Sequence, residues 1–341
     1  MGVKIFDLVQ PKEIDLSELK GKAIAIDSPL FLYQFLTSIR QPDGNLLTDS
    51  KGRVTSHLVG LFNRTAKLMQ LGVKPIFVFD GKPSELKFAE IGRRSEAKQA
   101  AAKLYEKAAE QEEKELMAKY AGRTTRLTKE MIEDAKRLVT ALGLPVVQAP
   151  SEGEAQASHL TKQGDAWAVA SNDADCIVFG ATRLIKNLAI SGRKKPSGLG
   201  FVRPELIELK KVLAELDITK EQLVALAVLV GTDFDPGGIK GIGPKKALQL
   251  VKEHGTDFKK MFKEVKWEEH FDFDWKVVFD IFAKPDVTDK YSINFKPVDR
   301  KEVMSFLVEE REFGKERVEK TLDLLTSAKS SQCQKGLGDF A

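Results

Sequence analysis

Short apolar runs that stop at an acidic residue alternate, in the first part of the chain, with longer stretches of mixed character. Ala23-Ile24-Ala25-Ile26 ends at Asp27, and Pro75-Ile76-Phe77-Val78-Phe79 ends at Asp80. Runs of this kind predict strands, and the stretches Ser28 to Ile39 and Ser56 to Leu71 predict the helices between them. Strand and helix alternating in this way imply a parallel sheet flanked by helices. From Lys82 to Lys129 the pattern changes to Ala, Glu, Lys and Gln with few large apolar residues. That composition favours helix but supplies too little apolar surface for a core, so it predicts either a solvated helical hairpin or a basic arm over a cleft. The alternation resumes with a helix over 131–142, a strand over 143–149, a helix opening at Ser151 and a strand over 166–170. A hairpin or strand pair follows over 185–210, with a flexible tip at 191–196, and beyond residue 217 the chain reads as mostly helical. No internal repeat is present.

A chain of 341 residues that is 42% hydrophobic can bury a large core. The formal net charge of +4 is too small to identify a polyanion as partner by itself. The two cysteines, Cys176 and Cys333, lack metal-ligand spacing and imply no disulfide scaffold. No apolar run approaches the roughly 18 residues a membrane span requires. A reducing intracellular compartment is the expected setting.

The acids set the chemistry. Asp27, Asp80, the doublet Glu152-Gly153-Glu154, the doublet Asp173-Ala174-Asp175, and Asp233 are spaced so that most follow a predicted strand. An α/β fold gathers such positions at one sheet edge. A lone aspartate after a strand is often a helix cap, and Ser151 with Glu154 matches a capping box. A cap needs one side chain, however, whereas each doublet places two carboxylates on one turn. Like charges crowded in a cleft either take up protons or bind hard cations. Two divalent ions bridged by carboxylates are a common device for phosphodiester hydrolysis. Further on, the apolar helix Leu223 to Val230 leads through a glycine-rich turn to Gly241-Ile242-Gly243-Pro244-Lys245-Lys246. Proline at a helix start leaves backbone N–H groups free there, and the two lysines add charge, which reads as a helix-hairpin-helix grip on a nucleic-acid backbone. A plain turn between helices is the alternative.

Taken in order, Met1-Gly2-Val3, Ile26-Asp27-Ser28, Val78-Phe79-Asp80-Gly81-Lys82-Pro83, Pro150-Ser151-Glu152-Gly153-Glu154-Ala155, Ser171-Asn172-Asp173-Ala174-Asp175 and Gly231-Thr232-Asp233 resemble the XPG-type 5′ nuclease family, in its archaeal flap structure-specific form. The resemblance covers practically the whole chain. It implies an α/β, PIN-like fold with a mainly parallel central sheet, a helical arch and a helix-hairpin-helix region. One nuclease domain would span 1–328, with an N-terminal region over about 1–100, the arch over about 82–129 and an internal region over about 130–260 containing the grip at about 223–250. It also implies two Mg²⁺ ions per site, Mn²⁺ being able to substitute. Asp27, Asp80, Glu152 and Glu154 would serve the first, and Asp173, Asp175 and Asp233 the second. Lys87 and Arg94 match the basic pair at the base of the family's arch; seven residues apart, they share a helical face. Tyr33 matches an aromatic that stacks on a base near the cut, and Arg40, Thr55, Gly241, Gly243, Lys245 and Lys246 are further expected DNA contacts. A hydrophobic wedge is expected around Ile39 to Pro42, and the Gly2 amine near the site. In the tail, 329–341, Gln334, Leu337 and Phe340 resemble the peptide by which replication proteins dock on the sliding clamp, with Ala341 where a second aromatic is usual.

The implied activity is two-metal cleavage of 5′ flaps at the junction of single strand and duplex, with 5′-3′ exonuclease action, in Okazaki-fragment maturation and repair. The product ends are a 5′-phosphate and a 3′-hydroxyl. A monomer is expected. Two rivals are a nuclease-dead scaffold that binds branched DNA and recruits the clamp, and a ribonuclease on the related sheet.

Overall fold

The computed structural model describes residues 5–110, 124–194, 198 and 200–334. Seven strands, β1 (Lys12–Glu13), β2 (Ala23–Asp27), β3 (Lys74–Phe79), β4 (Val146–Gln148), β5 (Ala168–Ala170), β6 (Arg183–Lys186) and β7 (Glu205–Glu208), form one sheet in the order β1-β7-β6-β5-β2-β3-β4. The five strands from β4 to β6 are parallel, and β7 and β1 add an antiparallel edge. Alternate residues face opposite cores: Ala25, Ile76, Val78 and Val169 enter one, and Ile24, Ile26, Phe77 and Ala170 the other. Burial on both faces is why these strands read as unbroken apolar runs.

Helix α1 (Ser28–Ser38) starts where β2 stops. Asp27 is its N-cap, accepting the Leu30 N–H at 3.2 Å, and Pro29 pre-sets the first turn. Helix α2 (Ser56–Gln70) returns the chain to β3. Between β3 and β4 lie α3 (Lys87–Glu110) and α4 (Lys129–Ala141). Helix α5 (Gly153–Gln163) connects β4 to β5, and the short α6 (Asp175–Val178) follows β5. After β7 the chain is mostly helical, as α7 (Leu209–Leu216), α8 (Lys220–Val230), α9 (Pro244–His254), α10 (Phe258–Glu264), α11 (Trp275–Ala283), α12 (Arg300–Met304) and α13 (Lys315–Gln334).

Three expectations need adjusting. The strand over 143–149 contracts to β4, since Gly143 (φ +75°) and Leu144 close the turn after α4 by donating to Thr140 and Val139. The capping box at Ser151 does not form: Glu152 is the N-cap of α5 without a side-chain bond to it, and Glu154 turns into the cleft described below. The tail expected from residue 329 begins as helix, because α13 continues to Gln334 beyond its packed residues Val318, Leu322 and Leu325. Leu337, Phe340 and the Gly2 amine lie outside the described residues.

The sheet places the site. β2 pairs with β3 on one side and β5 on the other: the chain builds β3 and β4 outward on one side, then crosses back to lay β5 and β6 on the other. A crevice opens at such a switch point, above the carboxyl ends of the strands.

Candidate metal centre and nucleic-acid interface

The crevice is a cleft of about 880 Å³, lined at its floor by Asp27, Asp80, Glu152, Glu154, Asp173 and Asp233. They arrive from five strand ends or loops: Asp27 ends β2, Asp80 follows β3, the Glu doublet opens α5, Asp173 follows β5 and Asp233 follows α8. Glu154, Asp173 and Asp175 bring carboxylate oxygens within 4.8 Å of one another. All seven predicted acids therefore meet at one sheet edge or directly beneath it, Asp175 being buried at the start of α6.

Local bonds hold this arrangement. Ser171 Oγ donates to Asp27 Oδ2 at 2.8 Å, and Asp173 accepts from the Asp175 N–H at 3.1 Å. The Gly153 N–H donates to Asp80 Oδ1 at 2.7 Å, and a Cβ at residue 153 would stand 2.6 Å from that oxygen. A glycine between the two glutamates is what lets Asp80 approach.

The electrostatics are those of anions short of counter-charge. Asp27, only 4% exposed, is pushed up to about 7 by burial first, then by the Asp80 and Asp173 charges. Burial, reinforced by Asp173, Asp27 and Asp175, drives Glu154 well above the carboxylate range. Glu152 also rises through burial, against the pull of Lys87. Lys87 loses solvation in the cleft, but Glu154, Glu152 and Asp233 outweigh that and raise its affinity for the proton.

Lys87 and Arg94 do share a face of α3, and that face looks into the cleft. Lys87 Nζ donates to Glu152 and lies 3.8 Å from Asp233 Oδ2, while Arg94 Nη2 donates to Asp233 Oδ1 at 2.5 Å. Ala97, Ala100, Ala101 and Leu104 continue the same wall, so this part of the Ala-rich segment lines the cleft. Tyr33 lies opposite, with Lys98 Nζ 5.3 Å from its ring centre.

The other expected contacts sit apart from the acids. Arg40 donates to the Gly44 carbonyl at 2.7 Å and to Thr125, next to the half-buried Ile39. Thr55 is buried at the start of α2, its N–H bound to Leu47 O at 2.7 Å. Gly241 (φ +84°), Gly243, Lys245 and Lys246 are exposed at the start of α9. No side chain caps that helix, and a Cβ on Gly243 would meet nothing within 4 Å. The bare backbone at Gly243 is thus not required by the protein's own packing, and it leaves N–H groups open to an approaching anion.

Sequence reading missed two supports. Ser171 holds Asp27, and its place two residues before Asp173 was the available signal. Glu90 is 2% exposed and binds both Arg93 and Arg94; nothing in a charged helical stretch marks it out.

Comparison with known proteins agrees with this site. Residues 1–101 match the XPG N-terminal domain, and residues 143–233 match the XPG I-region. The chain is 50% identical over 334 residues to flap endonuclease 1 of Hyperthermus butylicus, covering 96% of this chain and 95% of that one. It is 47% identical over 331 residues to flap endonuclease 1 of Pyrococcus horikoshii, with the same two coverages. The solved flap endonuclease-1 from Methanococcus jannaschii superposes with a TM-score of 0.76 at 38% identity, over 97% of this chain and all of that one. With the sheet, the acidic cleft and its basic wall in place, likeness this extensive settles kinship: the chain belongs to the XPG family of flap endonucleases.

Proposed function

We propose that the seven carboxylates hold two divalent ions, Mg²⁺ with Mn²⁺ able to substitute, and that DNA is cut at the foot of a 5′ flap over them. The chain is a nuclease of the flap endonuclease family, and relatives about half identical over nearly its full length bear that name. What carries the metal reading is the approach of Glu154, Asp173 and Asp175 oxygens to within 4.8 Å beside the two cations of α3. An all-oxygen donor set suits hard divalent ions, and the raised Asp27 and Glu154 are the groups a bound cation would relieve.

In this reading Asp27, Asp80, Glu152 and Glu154 serve one ion, and Asp173, Asp175 and Asp233 the other. Bound there, the ions supply Lewis acidity to the attacking water and to the leaving oxygen. The protein's own part is positioning and charge. Lys87 and Arg94 present positive charge to the scissile phosphate, where negative charge develops on the oxygens. Tyr33 offers a face for base stacking, worth about 1–3 kcal/mol in single-strand binders. The start of α9 grips duplex backbone without reading sequence, so selectivity is for shape. Arg40 and Thr55 act in the same way on the duplex, with the wedge at Ile39 to Pro42. The chain works as a monomer at the nucleoid, in Okazaki-fragment maturation and repair. Gln334, Leu337 and Phe340 dock it on the sliding clamp. Among the described residues no helix is long and apolar enough to cross a membrane.

The test is a double-flap DNA labelled at both ends, incubated with chelator or with Mg²⁺. Cleavage at the junction only with Mg²⁺, leaving a 5′-phosphate on the downstream duplex, is expected. Equal cutting in chelator, or none with the metal, overturns the proposal, and preferential cutting of an all-RNA hairpin would indicate the ribonuclease instead.

A further inference from the structure

We infer that Glu90 is a positioning residue for cleavage, acting through Arg94. The inference rests on the role given to Arg94 above. Glu90 lies one helical turn before Arg94 on α3 and is 2% exposed. Its Oε1 accepts Arg94 Nε at 2.7 Å and Arg93 Nη2 at 2.8 Å, and its Oε2 accepts Arg93 Nε at 2.7 Å. The Arg93 side chain is 64% exposed and covers the pair from outside, whereas Arg94 is 38% exposed and reaches inward to Asp233. Glu90 therefore holds the Nε donor of Arg94, and the neighbouring nitrogen, Nη2, is the one that reaches the cleft at 2.5 Å from Asp233.

An arginine side chain is long and samples many rotamers unless something fixes it. The guanidinium fork is planar, so fixing Nε fixes the direction of the remaining donors. Arg93 saturates the rest of the Glu90 carboxylate, which keeps that anion from competing with Asp233 or with a phosphate for Nη2. As plain helix-surface ion pairs, contacts four apart contribute little to folding. A buried carboxylate shared by two arginines, one of them aimed into the site, is better explained by aim than by stability. Glu90 touches no carboxylate of the cleft and takes no part in holding metal.

The test uses the full chain with Mg²⁺ and a labelled double-flap DNA in single-turnover cleavage at saturating enzyme. Glu90→Gln is expected to slow cleavage about tenfold, because a displaced catalytic group weakens transition-state contacts more than ground-state ones. Flap affinity, measured with Ca²⁺ in place of Mg²⁺, and melting temperature are expected to stay at wild-type values. The double variant Glu90→Gln/Arg94→Ala should be as slow as Arg94→Ala and no slower, since Glu90 has nothing left to aim. Glu90→Asp keeps the charge on a shorter arm and should recover part of the rate; it also supplies the same comparison if the amide variant fails to fold. A slow Arg94→Ala with a wild-type Glu90→Gln overturns this inference alone, as do multiplying losses in the double variant or a loss confined to flap affinity. Arg94→Ala at wild-type speed removes the underlying role of Arg94 instead.

Discussion

Asp27→Asn separates the charge of the cleft from its shape. Asparagine is as good an N-cap as aspartate, so the bond from the Leu30 N–H survives, and Ser171 retains a polar partner at 2.8 Å. Only the ionisation is lost. In the metal-free protein Asp27 stands near 7 against an ordinary 3.8, through burial first and then Asp80 and Asp173. The folded state therefore holds a proton that the unfolded chain releases, and between these two values stability falls as pH rises. Below about 3.8 the penalty is absent, and above about 7 it is complete. At about 1.36 kcal/mol per pH unit, the interval from 3.8 to about 7 corresponds to about 4 kcal/mol. Asp27→Asn escapes this, so in EDTA at pH 8 it should melt several degrees above wild type, with the gap closing toward pH 4. Saturating Mg²⁺ should reverse the order, because the wild type gains a cation the variant holds less well. Thermal melts followed by circular dichroism from pH 4 to 8, with and without Mg²⁺, measure both effects. A metal-free variant less stable than wild type at pH 8, or a gap that ignores pH, would refute the picture of confined like charges.

Asp173→Asn should slow flap cleavage by orders of magnitude while flap affinity is largely retained, and wild-type turnover would remove Asp173 from the metal set. Lys245→Ala should weaken duplex binding evenly across sequences and reduce the slope of log affinity against log salt by about 1, with an unchanged slope counting against a phosphate contact. Gly231→Ala should destabilise by about 1–3 kcal/mol in urea denaturation, since Gly231 has φ +102° and a Cβ there would lie 2.4 Å from the Gly238 nitrogen. A wild-type midpoint would show that this turn yields.

The sequence was most legible where one force acts alone. Runs such as Ala23 to Ile26 and Pro75 to Phe79 are buried on both faces, so their apolarity shows without help from partners, and the acids that end them mark the sheet's carboxyl edge. The glycine between Glu152 and Glu154 could be read as part of a doublet, but its steric reason, the approach of Asp80 from another strand, needed the fold. The failed cap at Ser151 has the same origin. A local capping pattern competed with the cleft for Glu154, and the tertiary contacts of the cleft prevailed. The antiparallel edge was half visible: β6 and β7 appeared as a strand pair, whereas β1 is a two-residue strand whose identity comes entirely from pairing with β7. Glu90 was illegible because, among many charged residues on α3, only side-chain direction distinguishes it. That Lys87 and Arg94 share a face followed from helical spacing, but that the face looks into the cleft did not.

If the fold crowds these acids together to hold divalent cations, the metal-free chain must take such ions up. Calorimetric titration of Mn²⁺ into the chelator-stripped full chain tests it most directly, with Asp173→Asn alongside. Saturable uptake of two ions by the wild type, diminished in the variant, is expected; no saturable heat, or uptake indifferent to Asp173→Asn, would show that the acids do not serve as a metal site.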